Sequence, residues 1–193
     1  MKKLFIIIII FISFQSWTKA DDIRDFQVEG MSIGDSLLDY FTQNEILKNN
    51  VSYYKDEKFT TFELSLLSKS ETYDAIQVVY KTKDKQYKIY SLSGALDCSD
   101  NFKICEKSWE IVLKDLTKFF SNNTKIIDRG TYNQPADVFG KSKVSEIIFE
   151  FKSGDRATIE KTNWSKKIGY RDNLRVNVDT KEFTVWLNTA AYK

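Results

Sequence analysis

Two stretches of this chain alternate apolar and polar residues on either side of a short polar turn. Ala75-Ile-Gln-Val-Val-Tyr-Lys81 is answered by Gln86-Tyr-Lys-Ile-Tyr-Ser-Leu92, and Ser145-Glu-Ile-Ile-Phe-Glu-Phe-Lys152 by Arg156-Ala-Thr-Ile-Glu160. A period of two puts alternate side chains on opposite faces, so each pair reads as an antiparallel hairpin with one buried face. The second turn, Ser153-Gly154-Asp155, has residues that tolerate a positive φ, and the first, Lys83-Asp84-Lys85, is a looser charged tip. Further strands are expected at 59–67 and 174–178, with weaker ones at 25–28 and 125–128.

Helical spacing fills the gaps between these strands. Trp109, Val112, Leu113, Leu116, Phe119 and Phe120 follow the i, i+3, i+4, i+7 rule, with Glu106 and Glu110 near the positive end of the dipole. An earlier helix is expected over 35–48, where Leu37, Leu38, Phe41 and Ile46 share a side and Ser32-x-x-Asp35 resembles a capping box. The segment 180–191 fits a helix with Phe183, Trp186, Leu187 and Ala190 on one face. It also fits a strand with Phe183, Val185 and Leu187 inward. The order of elements predicts an α+β fold, an antiparallel sheet built from hairpins with about three packed helices.

The N-terminus reads as an address. Met1-Lys2-Lys3, an unbroken apolar run from Leu4 to Ile12, and a polar tail ending Thr18-Lys19-Ala20 have the three-part order of a secretory signal peptide. The run is shorter than the roughly 20 residues that span a bilayer core. Residues 1–20 are therefore expected to be removed before Asp21, leaving 21–193 as a single exported domain without a transmembrane segment. The low proline count and the abundance of Lys, Asn and Ile fit a bacterial periplasm or secretion. In such an oxidising compartment Cys98 and Cys105, the only two cysteines, are expected to form a disulfide. Their spacing is wider than the Cys-x-x-Cys of redox-active pairs.

Composition narrows the chemistry. The chain has 29 Lys and Arg against 27 Asp and Glu; without Lys2, Lys3 and Lys19, 26 remain against 27, a net of −1. Nucleic-acid binding by counterion release needs a clear positive excess, so it is not expected. Histidine is absent altogether, which removes the commonest general base and the usual zinc ligand, and no metal or cofactor is expected.

Gly34-Asp35-Ser36-Leu37 resembles the nucleophile block of the GDSL esterases and lipases, which would make Ser36 the nucleophile. That family takes its base from a late Asp-x-x-His, and a chain without histidine cannot supply it. The longer block Glu29-Gly-Met-Ser-Ile-Gly-Asp-Ser-Leu-Leu-Asp-Tyr-Phe41 resembles one found in small exported bacterial proteins of uncharacterised function. The resemblance extends to Lys181-Glu-Phe183 and implies a shared fold with no assigned activity.

Two candidate surfaces follow. Tyr80, Lys81, Lys83, Lys85, Tyr87, Lys88 and Tyr90 interleave aromatic and cationic side chains on the first hairpin, the chemistry that meets an anionic glycan or lipid headgroup. Asn163-Trp164 before Ser165-Lys-Lys167 forms a second aromatic-basic spot. The expected function is a non-enzymatic periplasmic or secreted protein that binds a partner protein or an envelope component. The alternative is a histidine-free hydrolase built on Ser36 with a lysine, or on a carboxylate pair drawn from Glu146, Glu150 and Glu160.

Overall fold

The computed structural model describes residues 22–66, 72–120 and 123–193. The expected leader over 1–20 lies outside the described residues, as does Leu67 at the end of one expected strand. Eight strands form one antiparallel sheet: β1 (Asn50–Val51), β2 (Phe59–Ser65), β3 (Ala75–Lys81), β4 (Ile89–Asp97), β5 (Thr124–Asn133), β6 (Lys143–Phe151), β7 (Arg156–Asn163) and β8 (Asn173–Asp179). Their spatial order is β1-β2-β3-β4-β8-β7-β6-β5. Among the described residues three α-helices accompany it, α1 (Gln43–Lys48), α2 (Lys103–Phe120) and α3 (Lys181–Thr189). The chain is an α+β fold.

Strand alternation gives the sheet two unlike faces. Phe62, Ile76, Val78, Leu92, Val176, Val178, Ile159 and Phe149 point one way and merge with Trp109, Leu116 and Phe120 of α2 into the main core. Phe120 is fully buried, its ring 5.6 Å from that of Phe149 and 5.3 Å from that of Phe151. The N-terminal segment closes the same face over β2 to β4, with the Phe41 ring 4.8 Å from that of Phe62 and tilted against it. The opposite face carries a smaller apolar cluster at one end, where Phe183 and Trp186 of α3 sit on Phe59 and Val79. Over the rest of that face most outward positions are polar, with Ala75, Ala95, Val144 and Ile148 among the apolar exceptions.

The C-terminal segment is a helix, because the Thr180 hydroxyl accepts the Phe183 amide and a helical face puts both Phe183 and Trp186 on Phe59. Cys98 and Cys105 form a disulfide across a Cα separation of 5.8 Å, joining the end of β4 to the first turns of α2. The second hairpin closes as expected, with Gly154 at φ +88. The weak strand at 125–128 is part of β5, whereas that at 25–28 reduces to one bridge between Val28 and Met31.

The expected helix over 35–48 is broken in two. The Gly34 amide donates to the Ile89 carbonyl at 3.0 Å, the Ile89 amide to the Asp35 carbonyl at 2.9 Å, and the Leu37 amide to the Tyr87 carbonyl at 3.1 Å. Backbone groups engaged with the start of β4 are not free for i to i−4 bonding. A single 3-10 turn follows at Leu37–Asp39, and the helix restarts only after Thr42, whose side chain forms a reciprocal capping box with Glu45. For the same reason the second strand of the first hairpin starts at Ile89 rather than at residue 86: Tyr87 takes φ +50, and Asp84 ties down the amides of Gln86 and Lys88.

Candidate functional site

The polar face of the sheet is a groove, not a solvated plane. A cavity of about 750 Å³ lies over β2, β3, β4 and β8, and a second of about 300 Å³ adjoins it over β7 and β8 under α3. Its floor exists because Ala75 and Ala95 are Cα partners on neighbouring strands and fill little space. Its walls are aromatic: Tyr53 and Tyr54 from the segment before β2, Tyr192 from the C-terminus, and Trp164 and Tyr170 from the β7–β8 connection.

Arg175 lies at the centre and lines both cavities. Its partner on β4 is the small Ala95, so the guanidinium reaches past that strand and Nη1 donates to Gln77 Oε1 on β3. Gln77 Nε2 in turn donates to Glu63 at 2.8 Å, and the same carboxylate accepts the Tyr53 hydroxyl. Burial and the Glu63 carboxylate push the Tyr53 phenol up to about 12. Ser93 bonds Asn177, and Ser91 donates to Asp179 at 2.5 Å.

The groove is acidic. Glu63, Asp74, Asp97, Glu146, Glu160 and Asp179 line it, against Arg171 and Arg175, and no lysine of the described residues does. Asp97 is paired with Arg171 at 2.5 Å and Glu146 with Arg129 at 3.2 Å. Among the described residues Glu63, Asp74, Glu160 and Asp179 have no ion pair. Burial raises the Glu160 carboxyl, offset in part by Arg175, and pushes Asp179 up to about 6. No group of three or more acidic or cysteine side chains among the described residues is arranged to hold a metal ion.

The residues singled out from sequence fall elsewhere. Tyr80 and Tyr87 point into the main core, their rings 5.1 Å apart, with the Tyr80 hydroxyl donating to Asn50 at 2.9 Å. Tyr90 packs on Phe59, 5.4 Å between rings, and Lys81 bridges to Glu182 at 3.0 Å. Lys83, Lys85 and Lys88 are exposed. The hairpin therefore buries Tyr80 and Tyr87 away from its exposed lysines and keeps one aromatic-cation pair, Lys81 Nζ lying 4.6 Å from the centre of the Tyr90 ring.

Ser36 caps the 3-10 turn, its hydroxyl donating to the Gln86 carbonyl at 2.6 Å and accepting the Leu38 amide at 3.2 Å. Lys88 is its bridge partner through the backbone. Of the three glutamates, Glu150 faces Arg156 across the turn and is paired with it at 2.9 Å, while Glu160 faces Glu146. Register decides this: a pairing of Glu150 with Glu160 would need the hairpin to be four residues out of step. The groove residues Gln77, Arg175, Asn177 and Asp179 had one signal in the sequence, polar side chains at the outward positions of otherwise apolar strands, which reads equally as a wet sheet face.

The chain matches no known protein family and no curated protein. Among solved structures it is similar to a mutant of protein Mog1, at 15% identity over 74% of this chain and 84% of that one, with a TM-score of 0.28. It is similar also to the Saccharomyces cerevisiae Ran-binding protein Mog1p, at 14% identity over 75% and 84% of the respective chains, with the same TM-score of 0.28. Among the described residues no helix is long and apolar enough to cross a membrane.

Proposed function

We propose that this is a non-enzymatic binding protein of an exported, oxidising compartment, and that its groove takes a small amine-bearing ligand. One observation carries the reading: the carboxyls of Glu63, Asp74, Glu160 and Asp179 line an aromatic-walled cavity and form no ion pair among the described residues, with Arg175 as the cation nearest Glu160 across the ladder. Carboxylates beside exposed ring faces favour an ammonium group, by charge and by cation–π attraction, and disfavour an anion. The Cys98–Cys105 disulfide and the leader-like residues 1–20 support export.

The test is native mass spectrometry of the protein exported through its own leader, followed by titration with spermidine as the amine probe. Retained mass that spermidine displaces, or saturable spermidine binding weakened several-fold by Glu63→Gln with Asp74→Asn, is the expected result. Binding unchanged by those substitutions removes the groove reading.

A second reading, hydrolysis by a carboxylate pair, is favoured by one feature, the cross-strand placement of Glu146 against Glu160. Turnover of envelope glycans abolished by Glu160→Gln would support it in place of simple binding.

A further inference from the structure

Two connections meet at one end of the sheet, residues 134–142 between β5 and β6 and residues 164–172 between β7 and β8. One carboxylate organises them. Asp137, only 5% exposed, accepts the amides of Phe139 at 2.8 Å, Lys141 at 3.0 Å and Ser142 at 2.7 Å, and the Ser142 hydroxyl at 2.6 Å. The Ser142 hydroxyl accepts the Ser165 amide of the other connection at 2.8 Å. These donors, Ser142 foremost, hold the Asp137 carboxyl down to about 2.

What this fixed turn displays is apolar. Val138 is 86% exposed and Phe139 56%, and Tyr170 of the other connection is 63% exposed. Loop tips are ordinarily small and polar, and a turn cross-braced by one carboxylate cannot fold its apolar tip back onto the protein. Four lysines of the two connections and the start of β6 are exposed, Lys141 and Lys143 just after the tip in sequence and Lys166 and Lys167 on the other connection. Lys167 Nζ lies 5.5 Å from the centre of the Phe139 ring, and Lys143 donates to Asn133. None of the four is in an ion pair among the described residues, and the enclosed carboxylates of Asp137 and Asp172 are taken up by local donors, the latter by the Trp164 amide at 2.6 Å.

We propose that this paired-loop tip docks on an anionic lipid bilayer, with Val138 and Phe139 entering the boundary between headgroups and acyl chains and the four lysines lying against lipid phosphates. The shape selects the partner. A convex apolar tip flanked by cations needs a matching hollow to engage a protein, whereas a fluid headgroup layer accepts it without one and supplies the complementary charge. The inference does not depend on what the groove holds, although Trp164 and Tyr170 line the groove as well and would bring its mouth close to the membrane.

The experiment is co-sedimentation of the oxidised protein with phosphatidylcholine vesicles and with vesicles containing phosphatidylglycerol. Binding is expected to the anionic vesicles, weakening as salt rises. Val138→Ser with Phe139→Ser should lower partitioning by about tenfold or more, and Lys166→Gln with Lys167→Gln by about fivefold per lysine at low salt. Both pairs are exposed, so melting temperatures should hold. Phe139→Trp should show a blue-shifted emission on anionic vesicles. Absence of vesicle binding, binding indifferent to the Val138 and Phe139 changes, or a purified protein partner that needs those two residues while vesicles do not bind would each overturn the proposal.

Discussion

Glu160 on β7 stands directly across the ladder from Glu146 on β6, two carboxylates on facing positions of the same polar sheet face. On its other side Glu160 faces Arg175, so one cation at the groove centre sits beside a carboxylate pair, and Asp179 lies further along β8. Like charges at facing positions destabilise a sheet, and burial adds to that cost.

The groove should therefore make the protein more stable in mild acid than at neutrality. Asp179 has a folded value of about 6 against 3.8 in the unfolded chain, so between those values the folded state binds the extra proton. Stability falls as pH rises from about 4 to about 6, by on the order of 1–3 kcal/mol, and is flat above. Glu160, raised in the same direction, adds to the slope. Asp179→Asn should raise the melting temperature at pH 7 and flatten the dependence; thermal melts across that window check both.

Reduction of the Cys98–Cys105 bond should destabilise the protein modestly. The loop is short, with a sequence separation of 7, so the chain-entropy contribution is about 2–3 kcal/mol. Urea unfolding with and without dithiothreitol should show the midpoint shift, with the start of α2 the first region to lose amide protection.

Gly94→Ala should be costly although β4 is a regular strand there. A Cβ at Gly94 would sit 2.5 Å from Tyr73 Cε1, and the ring must shift to admit it. A loss of about 1–3 kcal/mol is expected. In a Tyr73→Ala background the same change should cost much less, a coupling that a double-mutant cycle measures.

Phe120→Ala removes the ring that joins α2 to β6 and to the N-terminal segment, where Phe26 lies 5.7 Å away. A loss of about 3–5 kcal/mol is expected. Trp186→Phe on the other face keeps an aromatic ring, though a smaller one, and loses the indole bond to Asp56 at 2.8 Å, and should cost only about 1–2 kcal/mol. Chemical denaturation monitored by fluorescence separates the two.

Much of the fold is legible in the chain itself. Alternation in Ala75–Lys81 and Arg156–Asn163 and the apolar stripe of Lys103–Phe120 report burial that each element needs whatever its neighbours are. The N-terminal helix misled because its Leu37 amide is taken by the Tyr87 carbonyl and its Asp35 carbonyl by the Ile89 amide, about fifty residues away, and no local pattern records such a partner.

The candidate site is the reverse case. Local pattern determined that Gln77, Arg175 and Asn177 face away from the main core, and that lysines and tyrosines alternate near residues 80–90. Only the tertiary structure decided that the former line a groove and that, of the latter, Tyr80 and Tyr87 turn into the core while Lys81 stays on Tyr90. Whether an outward polar residue meets water or a cavity depends on what is placed over its sheet face. Here that is α3, Tyr53, Tyr54 and Tyr192, brought there by strand order and register, which are long-range properties of the whole sheet.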